Sequence, residues 1–246
     1  MPSLPLHDLR GVVCLHSLAD GELLGVADSA TVTSWRTGLS AAIATHALSR
    51  SDAETLGVIG AATQAELTLL GLTHLRSIKE IVLSDIDRRR AENWPLRPAA
   101  GSPSVTVVDS AADVAAASEM ILIATWSTTA ILSLADVDMG QHVTSLGSDE
   151  PGKQELAADL LRAGTLVVDN RALAASGGAV AAAGLDIDID ATLGEVIRGE
   201  HSGRRDGTER TLYTPVGLPW QDLALAWHAH ELAERNDLGI AFDLLS

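Results

Sequence analysis

Aromatic residues are scarce in this chain: one Tyr, one Phe and five Trp among 246 residues. Its core must therefore come from Ala, Val, Leu and Ile, which suits parallel strands covered by helices rich in small residues. Cysteine is represented by Cys14 alone. That excludes a disulfide framework and a cysteine-built zinc site, and it fits a reducing cytoplasm. Lysine occurs only at Lys79 and Lys153. Basic charge is in deficit, with a formal net charge of −16, so a nucleic-acid duplex or an anionic membrane repels the chain. The Arg88-Arg89-Arg90 and Arg204-Arg205 clusters read as solvated faces. Long apolar runs are missing; those around Met120 to Thr125 and Ala179 to Gly184 are too short to span a bilayer. The first ten residues lack a basic stretch followed by an apolar one, so no export signal is expected. The expectation is a cytoplasmic protein with neither nucleic acid nor membrane as partner. No H-E-x-x-H motif, G-x-S-x-G elbow or P-loop is present, and the eight histidines are scattered, so no metal is expected.

What is present is alternation. Two apolar runs flank Ala19-Asp20-Gly21 and predict a hairpin. A helix is expected from about Ser34 to Ser49, with Thr33 as N-cap. The run TLGVIG ends at Gly60 and is followed by a helix over Thr63 to His74 and a strand over Glu80 to Ser84. Further strands are expected at 105–108, 120–124, 142–146 and 165–169, with helices near 111–117 and 154–163. Short connections between such elements predict a Rossmann-like, doubly wound parallel α/β sheet over 51–186. Residues 1–50 and 187–246, which end in an apolar helix from Pro219 to Glu234, are expected to form an incomplete, discontinuous second domain.

The run Gly60 to Ala65 reads GAATQA, against the dinucleotide fingerprint G-x-G-x-x-G/A. Gly60 and Ala65 meet its outer positions; Ala62 replaces the middle glycine. Backbone N–H groups and the helix dipole at such a turn favour a pyrophosphate. Asp85 ends the second strand, where a carboxylate reads a ribose 2′-hydroxyl, so NAD(H) is favoured over NADP(H). Arg88 and Arg89 lie near enough to soften that preference. Ser145 to Leu156, SLGSDEPGKQEL, follows a predicted strand, so Asp149, Glu150 and Lys153 fall where a parallel sheet binds ligands. For Asp149 the sequence leaves helix capping and acid/base chemistry open. Arg36, in TSWRTG, is either a surface residue or the holder of a carboxylate.

Five blocks in order, TVTSWRTGLSAA, TLGVIGAATQAEL, IVLSDID, HVTSLGSDEPGKQEL and LYTPVGLPWQDLALAW, resemble the ornithine cyclodeaminase/mu-crystallin family over nearly the whole chain. The resemblance implies a homodimer, a small amino- or imino-acid substrate and a Rossmann domain. It implies that Arg36 holds the substrate carboxylate, with Lys153 beside it in substrate binding, and that Asp149 handles the substrate amine and its proton. It assigns Gly60, Ala62, Thr63 and Gln64 to the cofactor turn. Thr125 and Ser127 would line the nucleotide, and Ser145, Leu146 and Gly147 would lie near the nicotinamide. The implied activity is that of an NAD(P)H-dependent oxidoreductase that reduces an imine or interconverts α-amino and α-imino or keto acids. The alternatives are a cyclodeaminase-type lyase with bound NAD, and a non-catalytic NAD(P)-binding member or half of a split enzyme. Family members usually carry several tens of residues before the segment matching Gly11 to Asp28, including a lysine and an arginine that engage the substrate. With no lysine before Lys79, the expectation is an incomplete substrate lobe, or one supplied by a partner chain.

Overall fold

The computed structural model describes residues 11–94, 103–150 and 152–242. The first ten residues and Pro151 of the SLGSDEPGKQEL motif lie outside that description. In chain order the elements are β1 (Val12–His16), β2 (Leu23–Asp28), α1 (Ser29–Leu48), β3 (Thr55–Ile59), α2 (Thr63–Leu75), β4 (Glu80–Ser84), α3 (Arg88–Glu92), β5 (Ser104–Val107), α4 (Ala111–Ala116) and β6 (Met120–Ile123). They continue with β7 (His142–Ser145), α5 (Ala158–Ala163), β8 (Thr165–Val168), α6 (Arg171–Gly177), α7 (Ala179–Ala182), β9 (Ala191–Thr192), α8 (Leu193–Ile197), β10 (Thr211–Tyr213) and α9 (Pro219–Arg235). Two compact units result, one from Thr37 to Gly217 and one joining residues up to Arg36 with those from Leu218.

The larger unit is built on one sheet in the order β5-β4-β3-β6-β7-β10-β8-β9, with every pairing parallel. Parallel strands are buried on both faces, and β6 shows it: Ile121 and Ile123 enter one apolar cluster, Met120 and Leu122 the other. The chain order reverses between β3 and β6. That junction is the switch point where doubly wound sheets bind ligands, beyond the carboxyl ends of the strands. The sheet also runs past the expected limit at 186. β9 and β10 are two and three residues long, too short to leave a periodic signal, yet β10 lies between β7 and β8.

α1 and α2 meet at small residues. A Cβ on Gly38 would stand 2.6 Å from the Leu67 Cβ, and one on Gly71 would stand 2.9 Å from the Ala42 Cβ. Beneath α1 a polar chain crosses the sheet. The Thr211 hydroxyl donates to the Leu48 carbonyl (2.8 Å), so His142 Nδ1–H donates to Thr211 Oγ1 (2.9 Å). Nε2 then accepts from Thr144 (2.9 Å), whose oxygen lies 2.8 Å from that of Thr45. Burial, reinforced by Arg204 and Arg76, pushes the His142 pKa down from 6.5 to about 3.

In the smaller unit β1 and β2 form the expected antiparallel hairpin, with Gly21 at φ +80° in its turn. α1 begins at Ser29, five residues before its expected start. Its cap is Asp28, whose carboxylate accepts from the Thr31 N–H (2.8 Å) and hydroxyl (2.6 Å). Thr33, expected as the cap, instead sits inside the helix and donates to Asp222 (3.3 Å). Leu15, Val32 and Ala226 form the buried centre, while Leu223, Trp227 and Leu232 of α9 stay exposed.

Two predictions follow from this packing. Gly38→Val drives a side chain into Leu67 and should cost about 1–3 kcal/mol in chemical denaturation. The second concerns acid. His142 is neutral when folded, whereas in the unfolded chain it takes a proton below about pH 6.5. Its contribution to stability is therefore full above pH 6.5 and is lost as pH falls toward 3. Melting temperatures measured from pH 8 to 5 should fall more steeply below pH 6.5 for the wild type than for His142→Gln.

Candidate cofactor and active site

The turn between β3 and α2 is shaped by what surrounds it. Gly60 has φ +96°, and a Cβ there would stand 2.4 Å from the Ala124 carbonyl oxygen. Glycine is required on both counts. The Gly60 N–H donates to the Ser84 carbonyl (2.9 Å) and the Ala61 N–H to Asp85 Oδ2 (2.8 Å). Ala62 has φ −114° and ψ −177°, extended backbone that any residue adopts, and its methyl group is exposed. The missing second glycine therefore introduces no strain. Among the described residues the N–H groups of Ala62, Thr63 and Gln64 have no acceptor, and Gln64 Oε1 is buried without a partner. Three neighbouring donors at the N-terminus of a 13-residue helix fit a phosphate group.

Asp85 pins this turn as well as ending its strand. Its side chain is 3% exposed, its other oxygen accepts from the Asp87 N–H (2.8 Å), and Arg90 lies 3.6 Å away. Beyond it a hollow of about 300 Å³ is lined by Asp85, Ile86, Arg88, Ala91, Val107 and Asp109. Arg88 is committed to carboxylates there, pairing with Glu92 at 2.8 Å and with Asp109.

Across the switch point, the ends of β6 and β7 converge on one side chain, Glu155. It is fully buried. Oε1 accepts from the Thr125 N–H and hydroxyl, both at 2.7 Å, and Oε2 accepts from the Ser145 hydroxyl (2.7 Å) and the Gly147 N–H (2.8 Å). Burial pushes its carboxyl above the ordinary value, and the four donors pull the other way. A Cβ on Gly147 would stand 2.2 Å from the Thr125 carbonyl and 2.4 Å from Glu155 Oε1. Leu146 turns into the core, 7% exposed, and its N–H donates to the Ile123 carbonyl (2.9 Å). Ser127 closes its own loop by donating to the Thr129 carbonyl (2.6 Å).

Asp149 follows β7 and is held by Lys153 at 3.1 Å; Lys153 also reaches Glu150 (3.0 Å) and lies 3.9 Å from the Trp126 ring centre. The structure thus gathers Gly60, Ala62, Thr63, Gln64, Asp85, Thr125, Ser127, Ser145, Leu146, Gly147, Asp149 and Lys153 onto one unit. Arg36 belongs to the other, where its Nε pairs with Asp222 at 3.2 Å. Asp222 and Thr33 also line a hollow of about 380 Å³ with Cys14, Leu15, Ser29 and Leu223.

Sequence reasoning missed Glu155, because the segment 154–163 reads as helix. Helix α5 begins only at Ala158, and the preceding residues are extended, with Leu156 bridging Leu132. That extension turns Glu155 inward. The available signal was a third acid, after Asp149 and Glu150, directly preceding an apolar residue in a strand-end loop.

Fold and site together define a doubly wound α/β protein with an anion cradle at its switch point. The chain belongs to the ornithine cyclodeaminase/mu-crystallin family, whose profile matches residues 4–237. It is 31% identical to an alanine dehydrogenase of Archaeoglobus fulgidus over 97% of this chain and 75% of that protein. Among solved structures it is similar to an archaeal alanine dehydrogenase dimer with bound NAD (TM-score 0.92, 30% identity, 99% of this chain, 77% of the other). It is also similar to the Thermococcus litoralis Δ1-pyrroline-2-carboxylate reductase in complex with NADH and L-proline (TM-score 0.85, 27% identity, 93% and 73%). No helix of the described residues is long and apolar enough to cross a membrane.

Gly60→Ala should cost about 1–3 kcal/mol through its positive φ alone. Its collision with Ala124 should also abolish NADH binding in a calorimetric titration that the wild type passes.

Proposed function

We propose that this chain is an NAD(H)-dependent oxidoreductase that reduces a small α-imino acid, or interconverts an α-amino acid with its imino or keto counterpart. The anion cradle carries the reading: unpaired N–H groups at Ala62, Thr63 and Gln64, on a turn that admits only glycine at position 60. When bound, the dinucleotide supplies the hydride; the residues of this chain bind, orient and move the proton. The relatives that carry NAD or NADH in their structures support that cofactor.

Arg36 is the carboxylate holder in this reading. Asp222 engages its Nε, and among the described residues nothing pairs with its two terminal nitrogens, the edge that takes a carboxylate end-on. Asp149 exchanges the proton of the substrate nitrogen, and Lys153 holds its carboxylate in place and lies beside the substrate. Asp85 favours NAD(H) over NADP(H). Two of the nearby cations are already matched by carboxylates, Arg88 by Glu92 and Asp109 and Arg90 by Asp85, which leaves Arg89 as the remaining one of the three arginines for a 2′-phosphate. The exposed apolar residues Val12, Val26, Leu223 and Trp227 of the smaller unit support a homodimer, as in the alanine dehydrogenase.

Titration with NADH and NADPH, followed by nicotinamide fluorescence, should show tighter binding of NADH. Failure to bind either sinks the proposal, and tighter NADPH binding overturns the role of Asp85. Asp149→Asn should lower turnover of Δ1-pyrroline-2-carboxylate with NADH on the order of 100-fold while leaving NADH binding intact.

A further inference from the structure

The phosphate turn, Arg36 and Asp149 leave Glu155 without a task, yet it is fully buried and each of its oxygens takes two hydrogen bonds. The turn at Gly60 and Asp85 fixes the direction of a bound dinucleotide. With its phosphates held by the start of α2 and its adenosine on the β4 side, the other half would cross the switch point toward the ends of β6 and β7. Those two ends are the ones Glu155 joins.

We propose that Glu155 is a positioning residue for the nicotinamide half of the cofactor, a buried clamp that sets Thr125, at the end of β6, against Ser145 and Gly147, at the end of β7. The proposal rests on the dinucleotide reading above.

The geometry of the clamp is specific. Each carboxylate oxygen takes one backbone N–H and one hydroxyl, so both strand ends are fixed in two directions. The Thr125 hydroxyl also accepts from the Ser127 N–H (3.3 Å), so the clamp extends into the loop after β6. The Glu155 N–H donates to Ser148 Oγ (3.1 Å), which ties the loop after β7 to the same residue. Gly147 has no side chain because the Thr125 carbonyl and Glu155 occupy that space. The Gly60 Cβ position is filled in turn by the Ala124 carbonyl. A continuous set of close backbone contacts therefore runs from the phosphate turn to the end of β7, with Glu155 at its far end. An apolar side chain of the same volume would fill the space but leave the Thr125 and Gly147 N–H groups without an acceptor, at the full cost of an unmade hydrogen bond each. The carboxyl group places four donors at once.

Glutamine cannot replace it. Whichever way the amide is turned, its NH2 faces a backbone N–H, that of Thr125 or that of Gly147.

The test compares wild type, Glu155→Gln, Glu155→Asp and Ser145→Ala, each checked for folding by thermal melting. Calorimetry gives the affinities for NADH and for ADP-ribose, which lacks the nicotinamide. Fluorescence and induced circular dichroism of bound NADH report how its ring is held. In Glu155→Gln we expect ADP-ribose affinity within about threefold of wild type, the ring signatures lost and turnover lowered on the order of 100-fold. Glu155→Asp should restore part of the signatures, and Ser145→Ala, which removes one donor of four, should weaken them by less. Wild-type signatures in Glu155→Gln overturn the proposal. If Glu155→Gln does not fold, unchanged signatures in Ser145→Ala overturn it instead. A wild type that binds ADP-ribose without any ring signature removes the clamp's role and leaves dinucleotide binding standing. A wild type that binds neither ligand removes both.

Discussion

A sheet with every strand parallel delivers all its strand ends to one edge, and with them a row of backbone N–H groups that no ladder satisfies. Carboxylates answer that demand here. Asp85 takes the Ala61 N–H, Glu155 takes those of Thr125 and Gly147, and Asp169 takes those of Val216 (3.1 Å) and Gly217 (2.6 Å). Each acid comes from one strand end or loop and holds the backbone beyond another strand, so the edge is cross-tied. An unpaired buried N–H would cost on the order of 1–3 kcal/mol. The opposite edge uses the same device: Glu119 accepts from the Glu54 and Thr55 N–H groups. Part of the acid excess in the composition is thus structural.

The arrangement also separates two kinds of donor at the candidate site. Donors beside Asp85 and Glu155 are already used and define shape. Those of Ala62, Thr63 and Gln64 are unused and define where an anion goes. The position of the cradle is set by bonds to the neighbouring strand end, from the Gly60 N–H to Ser84 and from the Ala61 N–H to Asp85.

Much of this was legible in the sequence. The alternation of apolar runs with helical spacing gave the strands of the sheet from β3 to β8, and Ala19-Asp20-Gly21 gave the hairpin. Gly60 was readable from the fingerprint that follows TLGVI, and the structure supplies its reason, a positive φ beside the Ala124 carbonyl. What escaped depended on tertiary context. β10 takes its identity from the gap between β7 and β8, not from its three residues. The cap of α1 moved to Asp28 because β2 delivers that carboxylate to the first turn, leaving Thr33 free to meet Asp222. Glu155 was hidden by a pattern that reads as helix until the bridge from Leu156 to Leu132 draws the chain straight.

The position of β10 has a consequence for how the protein comes into being. β8 does not pair with β7; both pair with a strand that leaves the ribosome more than forty residues after β8 has been made. The half-sheet from β5 to β7 can assemble as soon as it is synthesised. β8 and β9 must wait, with one edge of β7 and one of β8 open until Thr211 to Tyr213 arrives. That contact of long sequence separation carries the loop-closure cost that slows folding. Synthesis therefore leaves an interval in which unpaired parallel edges are exposed, and the last strand to join is the one that seals the sheet from within.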